Sequence, residues 1–326
     1  MDLVSIRQLN DKDAINDRIF LVKDKNLGVG KTGKSFLTLL LGDQTGQIDA
    51  RLWDNVEESL SKFEIGDLIK VKGLVQIYNQ RKQIIVHRLD KVIDASINID
   101  QYKIKERDID THALYSELFH FVQKIENMQL KQLVTDCLQD DEIKPRLLNA
   151  PAAKTIHHAH RGGLLEHIVS ICKLMDFVGS HYNYLNKDLL FFGAIFHDIG
   201  KVWELDTTPQ KQIYYTQAGQ LLGHMLLSCE LIEKKAQRIL GFPEDLKMIL
   251  KHIVLSHHGQ LEYGSPKKPM FPEAMIVAMI DDFDSKVDTM MGFINIERQT
   301  GEQWSRYHEG FDRYFMLEDL KRKWKV

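Results

Sequence analysis

Seven side chains stand out because their types can hold metal ions and their neighbours are apolar: His167, His197, Asp198, His224, His257, His258 and Asp281. His167 lies in the stripe Leu164, Ile168, Ile171, Cys172 and Met175. His197-Asp198 follows the run LLFFGAIF, and His224 sits among Leu222, Met225 and Leu226. His257-His258 closes a stretch that begins at Asp245, and Asp281 adjoins Ile276, Val277 and Ile280. One histidine on an apolar stripe is ordinarily a hydrogen-bonded core residue. Five successive apolar segments that each carry His or Asp differ, because buried imidazoles and carboxylates are costly unless paired or metal-bound. Imidazole suits Zn and Fe, and carboxylate suits harder ions such as Mn and Mg. Six or seven ligands exceed the needs of one tetrahedral ion. They suit two ions about 3.5–4 Å apart with a bridging carboxylate, a pair that activates water and clamps both oxygens of a phosphodiester displacement. The residue set by itself predicts metal-dependent phosphodiester hydrolysis.

The segments that carry these residues have helical spacing. They are Gly163 to Val178, Lys187 to His197, the stretch around His224, Asp245 to His258, and a segment opening at Pro272-Glu273, where proline suits the first helical turn. Helical periodicity starts near Asp108, with Leu114, Leu118, Phe121, Val122 and Ile125. The chain before it reads as strands: Arg18 to Lys23, Ser35 to Leu41, Gln47 to Trp53, Asp67 to Tyr78 and Gln83 to Val92, separated by Gly and Asn turns. A short helix, Asn55 to Phe63, falls after the third strand, which is the order of an OB-fold barrel. The expected organisation is multidomain: an all-β OB-fold barrel at 1–95, a polar linker at 96–107 and an all-α domain at 108–326.

Residues 28–35, GVGKTGKS, fit the phosphate-loop pattern GxxxxGK followed by Ser or Thr. That pattern works when a helix follows, because the helix amides cradle the phosphates. Here SFLTLLL leads into a Gly42-Asp43 turn and another strand, so the phosphate-loop reading is rejected. The barrel carries other useful residues. Phe36, Trp53 and Tyr78 can stack bases, and Lys31, Lys34, Arg51, Lys70, Lys72, Arg81, Lys82 and Arg88 can follow a phosphate backbone. The bland alternative for each aromatic is barrel core. Arg51 and Asp49 share the face of Trp53, which favours Trp53 as a surface residue. The expected nucleic-acid set is Lys34, Phe36, Arg51, Trp53 and Tyr78.

Composition sets limits. A net charge of −3 over 326 residues gives no global attraction to nucleic acid, so such binding rests on a local patch. Three cysteines without CxxC spacing argue for a reducing compartment. No signal pattern opens the sequence and no stretch reaches the ~20 apolar residues of a membrane span. A cytoplasmic protein without a membrane partner is expected. Trp304 to Phe315, WSRYHEGFDRYF, is expected to be a helix that packs on the domain or on a second copy of the chain, so a homo-oligomer is allowed.

On these residues the chain resembles known families. His167, His197-Asp198 and Asp281, with the local text HDIGK at 197–201, look like the H…HD…D signature of the HD phosphohydrolase superfamily. His224 and His257-His258 resemble the extended set of its two-metal members. The resemblance implies that His167, His197, Asp198 and Asp281 hold one ion. It implies that Asp198, His224, His257 and His258 hold the other, with Asp198 bridging and Lys201 contacting a substrate phosphate or aiding the leaving group. The whole chain resembles the YhaM-type 3′–5′ exoribonucleases, which join an OB-fold to an HD domain. The matching text is GKSFLTLLLGDQTGQIDARLWD (33–54), HHAHRGGLLEH (157–167), GQLLGHM (219–225) and SHHGQLEYGSPKKP (256–269). The Gly-Tyr-Pro signature of the cyclic-dinucleotide hydrolases is absent, since Tyr263-Gly264-Ser265-Pro266 stands near its place.

The expected function is therefore 3′–5′ hydrolysis of single-stranded nucleic acid to nucleoside 5′-monophosphates, with RNA favoured, DNA allowed and Mn first among the ions. One alternative is an HD phosphohydrolase acting on small nucleotides; another is a non-catalytic nucleic-acid-binding module. Around the centre, His157, His158 and His160 either contact substrate phosphates or cap a loop. Glu166 reads as structural, His252 as packing, Asp282 as solvent-facing, and Asp284, one turn along from Asp281, as support for a ligand.

Overall fold

The first five strands form because apolar residues alternate along them. In the computed structural model they are β1 (Ala14–Val29), β2 (Ser35–Asp43), β3 (Gly46–Leu52), β4 (Leu68–Tyr78) and β5 (Arg81–Lys91), with helix α1 (Val56–Leu60) between β3 and β4. The structure describes residues 5–30, 33–78, 81–94, 97, 99–102, 109–154, 158, 160–208, 213–298 and 301–323. The strands close into a barrel in the order β1-β2-β3-β5-β4, sealed by the parallel β3–β5 pair. This is the OB-fold order expected from the sequence. Along β3, Ile48, Ala50 and Leu52 point inward while Gln47, Asp49 and Arg51 stay half-exposed. Phe20, Leu37, Leu39, Leu41, Ile69, Val71 and Ile84 complete the interior. β1 is longer than the expected run because it pairs with both β2 and β4. Register shifts at Val22/Asp24 and Ile15/Arg18 let this one strand turn the barrel corner. The rejected phosphate loop is the β1–β2 turn. Gly30 accepts from the Gly33 amide at 2.9 Å, and a strand, not a helix, follows Ser35. Lys31 lies outside the described residues.

The helices that follow are α2 (Thr111–Gln123), α3 (Met128–Leu138), α4 (Ile143–Leu147), α5 (Gly163–His181), α6 (Lys187–Phe196) and α7 (Lys201–Glu204). A two-stranded sheet, β6 (Leu205–Thr207) and β7 (Ile213–Tyr215), then interrupts what the sequence suggested to be all-α. The chain continues through α8 (Gln217–Leu221), α9 (Gly223–Ala236), α10 (Glu244–Ser256), α11 (Pro272–Glu297) and α12 (Leu320–Lys323). Side chains cap α2, α3 and α6: Asp110, Asn127 and Asn186 each accept an amide of the first turn. From Leu190 to Phe196, α6 is apolar and buried all round, with Phe191, Phe192 and Phe196 in the core. Gly193 explains how closely α11 approaches it. A Cβ there would lie 2.3 Å from Val277. One turn further along each helix stand His197 and Asp281, so this close approach sets the two together. Cys137, Cys172 and Cys229 are buried free thiols. Among the described residues no helix is long and apolar enough to cross a membrane.

The chain divides into two compact units, and the division departs from the expected boundaries. One unit is Asp108–Gly292; the other joins Met1–Arg107 to Phe293–Val326. The C-terminal segment, expected within the 108–326 domain, thus belongs to the barrel unit. Nor is Trp304 to Phe315 a helix. Trp304 pairs with Met316 and His308 with Arg313 in antiparallel bridges, around a left-handed Asp312 with φ +53°. Its aromatics pack on one another instead, with Phe293 against His308 at 4.7 Å and Phe311 against Phe315 at 5.5 Å between ring centres. Most of the expected linker, 96–107, lies outside the described residues; Ile99–Tyr102 forms a 3-10 turn against β1 and β2.

Candidate metal centre and nucleic-acid face

The seven residues singled out by spacing converge in the helical unit. His167 comes from the middle of α5, His197 and Asp198 from the turn after α6, His224 from the start of α9, His257 and His258 from the end of α10, and Asp281 from α11. Their ligating atoms fall into two groups, each within 4.8 Å: His167, His197, Asp198 and Asp281, then His224, His257 and His258. Asp198 links the groups. Its Oδ2 lies 3.5 Å from His197 Nε2, and its Oδ1 lies 3.4 Å from His224 Nε2 and 3.5 Å from His257 Nε2.

Each imidazole is held by its other nitrogen. His197 Nδ1 meets the Gly193 and Ala194 carbonyls at 3.0 and 3.1 Å. His257 Nδ1 meets the Val254 carbonyl at 2.6 Å, and His258 Nδ1 the Tyr263 carbonyl at 2.9 Å. His224 Nδ1 meets Glu204 at 3.0 Å, and His167 Nδ1 meets Asp284 at 2.8 Å. A carbonyl or carboxylate fixes a proton on each Nδ1, so each Nε2 is the nitrogen that faces the centre. His167 Nε2 and His197 Nε2 face each other at 3.3 Å, a contact that needs a proton or a cation between them. Asp198 Oδ1, His224 Nε2 and His257 Nε2 are buried without any hydrogen-bond partner. Unpaired buried polar atoms are rare because each costs about 1–3 kcal/mol. Three on one spot, all electron-pair donors, fit a divalent cation.

Charge is arranged to match. Burial would raise the Asp198 carboxyl, but Lys201, with Nζ 2.6 Å from Oδ2, and the neighbouring imidazoles hold it well below the usual carboxylate range. Asp281 is likewise depressed: burial opposes this, and His197 and His167 outweigh it. Burial pushes His197 and His258 down to about 4, which keeps both neutral and able to donate a lone pair. Burial also pulls on His167, yet its hydrogen bonds to Asp281 and Asp284 win and lift it to about 9.

Several supporting residues were legible and some were not. Asp284 supports His167 as expected, and Ser170 donates to it. Asp282 faces solvent, paired with Lys286, and His252 accepts from the Met270 amide at 3.1 Å. Glu166 does more than expected. It meets His158 Nδ1 at 2.9 Å and His160 Nε2 at 3.2 Å, tying that loop to α5. His157 lies outside the described residues. Glu204 went unread in the sequence, although it accepts from both the His224 amide and ring. Its signal was a carboxylate set between the apolar Trp203 and Leu205, three residues after Lys201.

The barrel face is a second cluster. Lys34, Phe36, Arg51, Trp53 and Tyr78, expected together from the sequence, do lie together. Phe36 and Trp53 rings stand 4.8 Å apart, tilted by 33°. The Arg51 guanidinium lies 5.7 Å from the Phe36 ring and 5.6 Å from the Tyr78 ring. Lys34 pairs with Asp54 beside them at 3.0 Å. All five are half-buried or exposed, so the barrel-core alternative fails for each aromatic. Gly28 makes room: it pairs with Phe36 across the β1–β2 ladder, and a Cβ there would lie 2.6 Å from the Phe36 ring.

Comparison with known proteins agrees with both halves. The HD domain model matches residues 164–286, and the model of the OB-fold nucleic acid binding domain matches residues 15–92. The 3′-5′ exoribonuclease YhaM of Bacillus subtilis (strain 168) is 33% identical over 275 residues, covering 84% of this chain and 86% of that protein. The 3′-5′ exoribonuclease YhaM of Bacillus pumilus (strain SAFR-032) is 34% identical with the same coverage. On this identity and coverage, with both domain types in the same order, the chain belongs to the YhaM exoribonuclease family.

Proposed function

We propose that this protein is a metal-dependent 3′–5′ exoribonuclease that hydrolyses single-stranded RNA to nucleoside 5′-monophosphates, the barrel holding the strand whose 3′ end enters the histidine–aspartate centre. The observation that carries this reading is the set of three unpartnered buried donors on Asp198, His224 and His257 beside a second His/Asp group. His167, His197, Asp198 and Asp281 would hold one ion, and Asp198, His224, His257 and His258 a second, with Mn the first choice. Ions bound there supply Lewis-acid stabilisation of charge on the phosphodiester oxygens and favour loss of a proton from water. The protein's own part is positional. The carbonyls and carboxylates on each Nδ1 fix the rings, and the packed α5, α6 and α11 fix their spacing. Lys201 keeps a positive charge at Asp198 and is the residue assigned to a substrate phosphate or the leaving oxygen. Phe36, Trp53 and Tyr78 offer flat faces to unpaired bases, while Arg51 and Lys34 offer cations, which suits a single strand better than a duplex.

The test is a 5′-labelled RNA strand incubated with the full chain and Mn, Mg, Fe or Zn in turn. A ladder shortened stepwise from the 3′ end, with 5′-monophosphates released, is the expected result. Turnover of free nucleotides without any ladder would replace this reading with a small-nucleotide phosphohydrolase. The same assay on single-stranded DNA sets the preference between the two polymers.

A further inference from the structure

The barrel unit holds a cavity that the proposed strand face does not account for. It has a volume of about 90 Å³ and lies where the C-terminal segment meets the outer side of β2 and β3, lined by Leu40, Gln47, Asp49, Lys82, Trp304 and Arg306 among others. The space exceeds that of a single buried water.

Its position links it to the aromatic cluster. Gln47, Asp49 and Arg51 share one face of β3, with Trp53 just beyond the strand end. The first two line the cavity and the last two lie in the aromatic cluster. At about 3.3 Å per residue the run from Trp53 to Gln47 spans about 20 Å. Leu40 pairs with Asp49, and Thr38 with Arg51, so β2 follows the same line. Lys82 is exposed on β5 at the cavity rim.

The chemistry suits a base. Trp304 is 57% exposed although it lines a pocket, which leaves ring surface open to a ligand. Its backbone is held by the bridge to Met316, and the adjacent segment is tied down where Glu297 meets the Arg306 amide at 2.7 Å and side chain at 3.3 Å. The charges are mixed, with Arg7 and Lys82 near Asp49 and Glu302. A purely phosphate-binding site would be basic throughout. Carboxylate, amide and cation around an indole instead match the edge and the face of a base, with one or two cations left for its phosphate.

We infer that Trp304 and the C-terminal segment form a second nucleotide-binding pocket, at the far end of the β3 face from Trp53, which engages only strands long enough to span both. This rests on the barrel being the strand-binding unit, as proposed above.

The experiment uses the full chain in chelator, so that strands stay intact, and reads fluorescence anisotropy with 5′-labelled RNA of stepped length. Trp304→Ala should weaken a strand of about twelve nucleotides by roughly five- to a hundredfold and leave a trinucleotide within about twofold. Trp304→Phe, which keeps an aromatic face, should bind close to wild type. Lys82→Glu, on the exposed rim, should weaken the long strand and flatten its salt dependence. If Trp304→Ala binds the long strand as wild type does while Trp53→Ala loses it, the second pocket is refuted and the barrel reading survives. If both bind as wild type does, the barrel reading itself falls. Equal losses on short and long strands together with a lower melting temperature would mean that Trp304 only packs. Should Trp304→Ala fail to fold, unaltered long-strand binding by Lys82→Glu overturns the inference on its own.

Discussion

The histidine–aspartate centre buries its polar atoms and leaves three of them without a partner, whereas the barrel face keeps its aromatic and charged groups half-exposed and in contact with one another. The first arrangement is unfavourable until a cation arrives. The second is complete without any ligand. A site of the first kind needs rigid walls, and here it has them: five helices, close helix contact at Gly193, and a hydrogen bond on every ring. A site of the second kind tolerates adjustment, as single-strand binding does. Substitutions should therefore act as a switch in one region and by degrees in the other.

The largest effect is expected at Asp198, which serves both ligand groups. Asp198→Ala should bring RNA hydrolysis to background and lower the bound metal, measured on the purified chain, by one or both ions, while circular dichroism shows the helices intact. Full activity of this variant after chelator treatment would break the contrast at its centre. Next is Glu204→Gln, which leaves the ligands in place but removes the charge that orients His224. Loss of such a partner costs about 10- to 100-fold in metal affinity or rate, read by titration with Mn and by kcat.

In the barrel the expected losses follow substrate length. Trp53→Ala removes one stacking face, worth ~1–3 kcal/mol. The ratio of kcat/KM for a long strand to that for a dinucleotide should fall about five- to a hundredfold, with the dinucleotide value nearly unchanged. An unchanged ratio would mean that the barrel does not serve the substrate.

Acidity should separate the regions as well. Without metal, His167 keeps its proton up to about pH 9, and a ligand must lose its proton to bind. Metal affinity should thus rise about tenfold or more per pH unit between pH 7 and 9, with at least about one proton released per binding event in calorimetry at neutral pH, because against its burial His257 is also raised by Asp198. RNA binding to the barrel should be flat over the same range. The smallest effect belongs to Lys34, whose ion pair with Asp54 is largely exposed. Lys34→Ala should change stability by about 0–1 kcal/mol and reduce the slope of log affinity against log salt by about one. ATP binding lost in that variant would revive the phosphate-loop reading.

How much was legible in the sequence follows the same divide. The candidate ligands were His or Asp on apolar stripes, and the seven that helical spacing picked out are the ones that the helices bring together. The strand order was legible because Gly and Asn punctuate the runs. The aromatic cluster was legible from period-two alternation around Arg51 and Trp53. Glu204 was not, because a carboxylate that supports a ligand has no spacing rule of its own. Neither was the β6–β7 hairpin, since three-residue strands carry too few positions to show a period. The destination of Phe293–Val326 was hidden for a different reason. Aromatic residues every three or four positions imitate a helix, and no local pattern says which unit a returning segment will join.

That return has a consequence for biosynthesis. The barrel unit is discontinuous, and the helical unit is an insertion within it. A ribosome adds about 5–20 residues per second, so the stretch from Asp108 to Gly292 delays the closing piece by roughly ten seconds or more. During that interval the nascent barrel waits with its C-terminal partner unmade, while the inserted helices are already free to fold. Cotranslational maturation then runs from the middle outward, and the first segment synthesised is among the last to be finished.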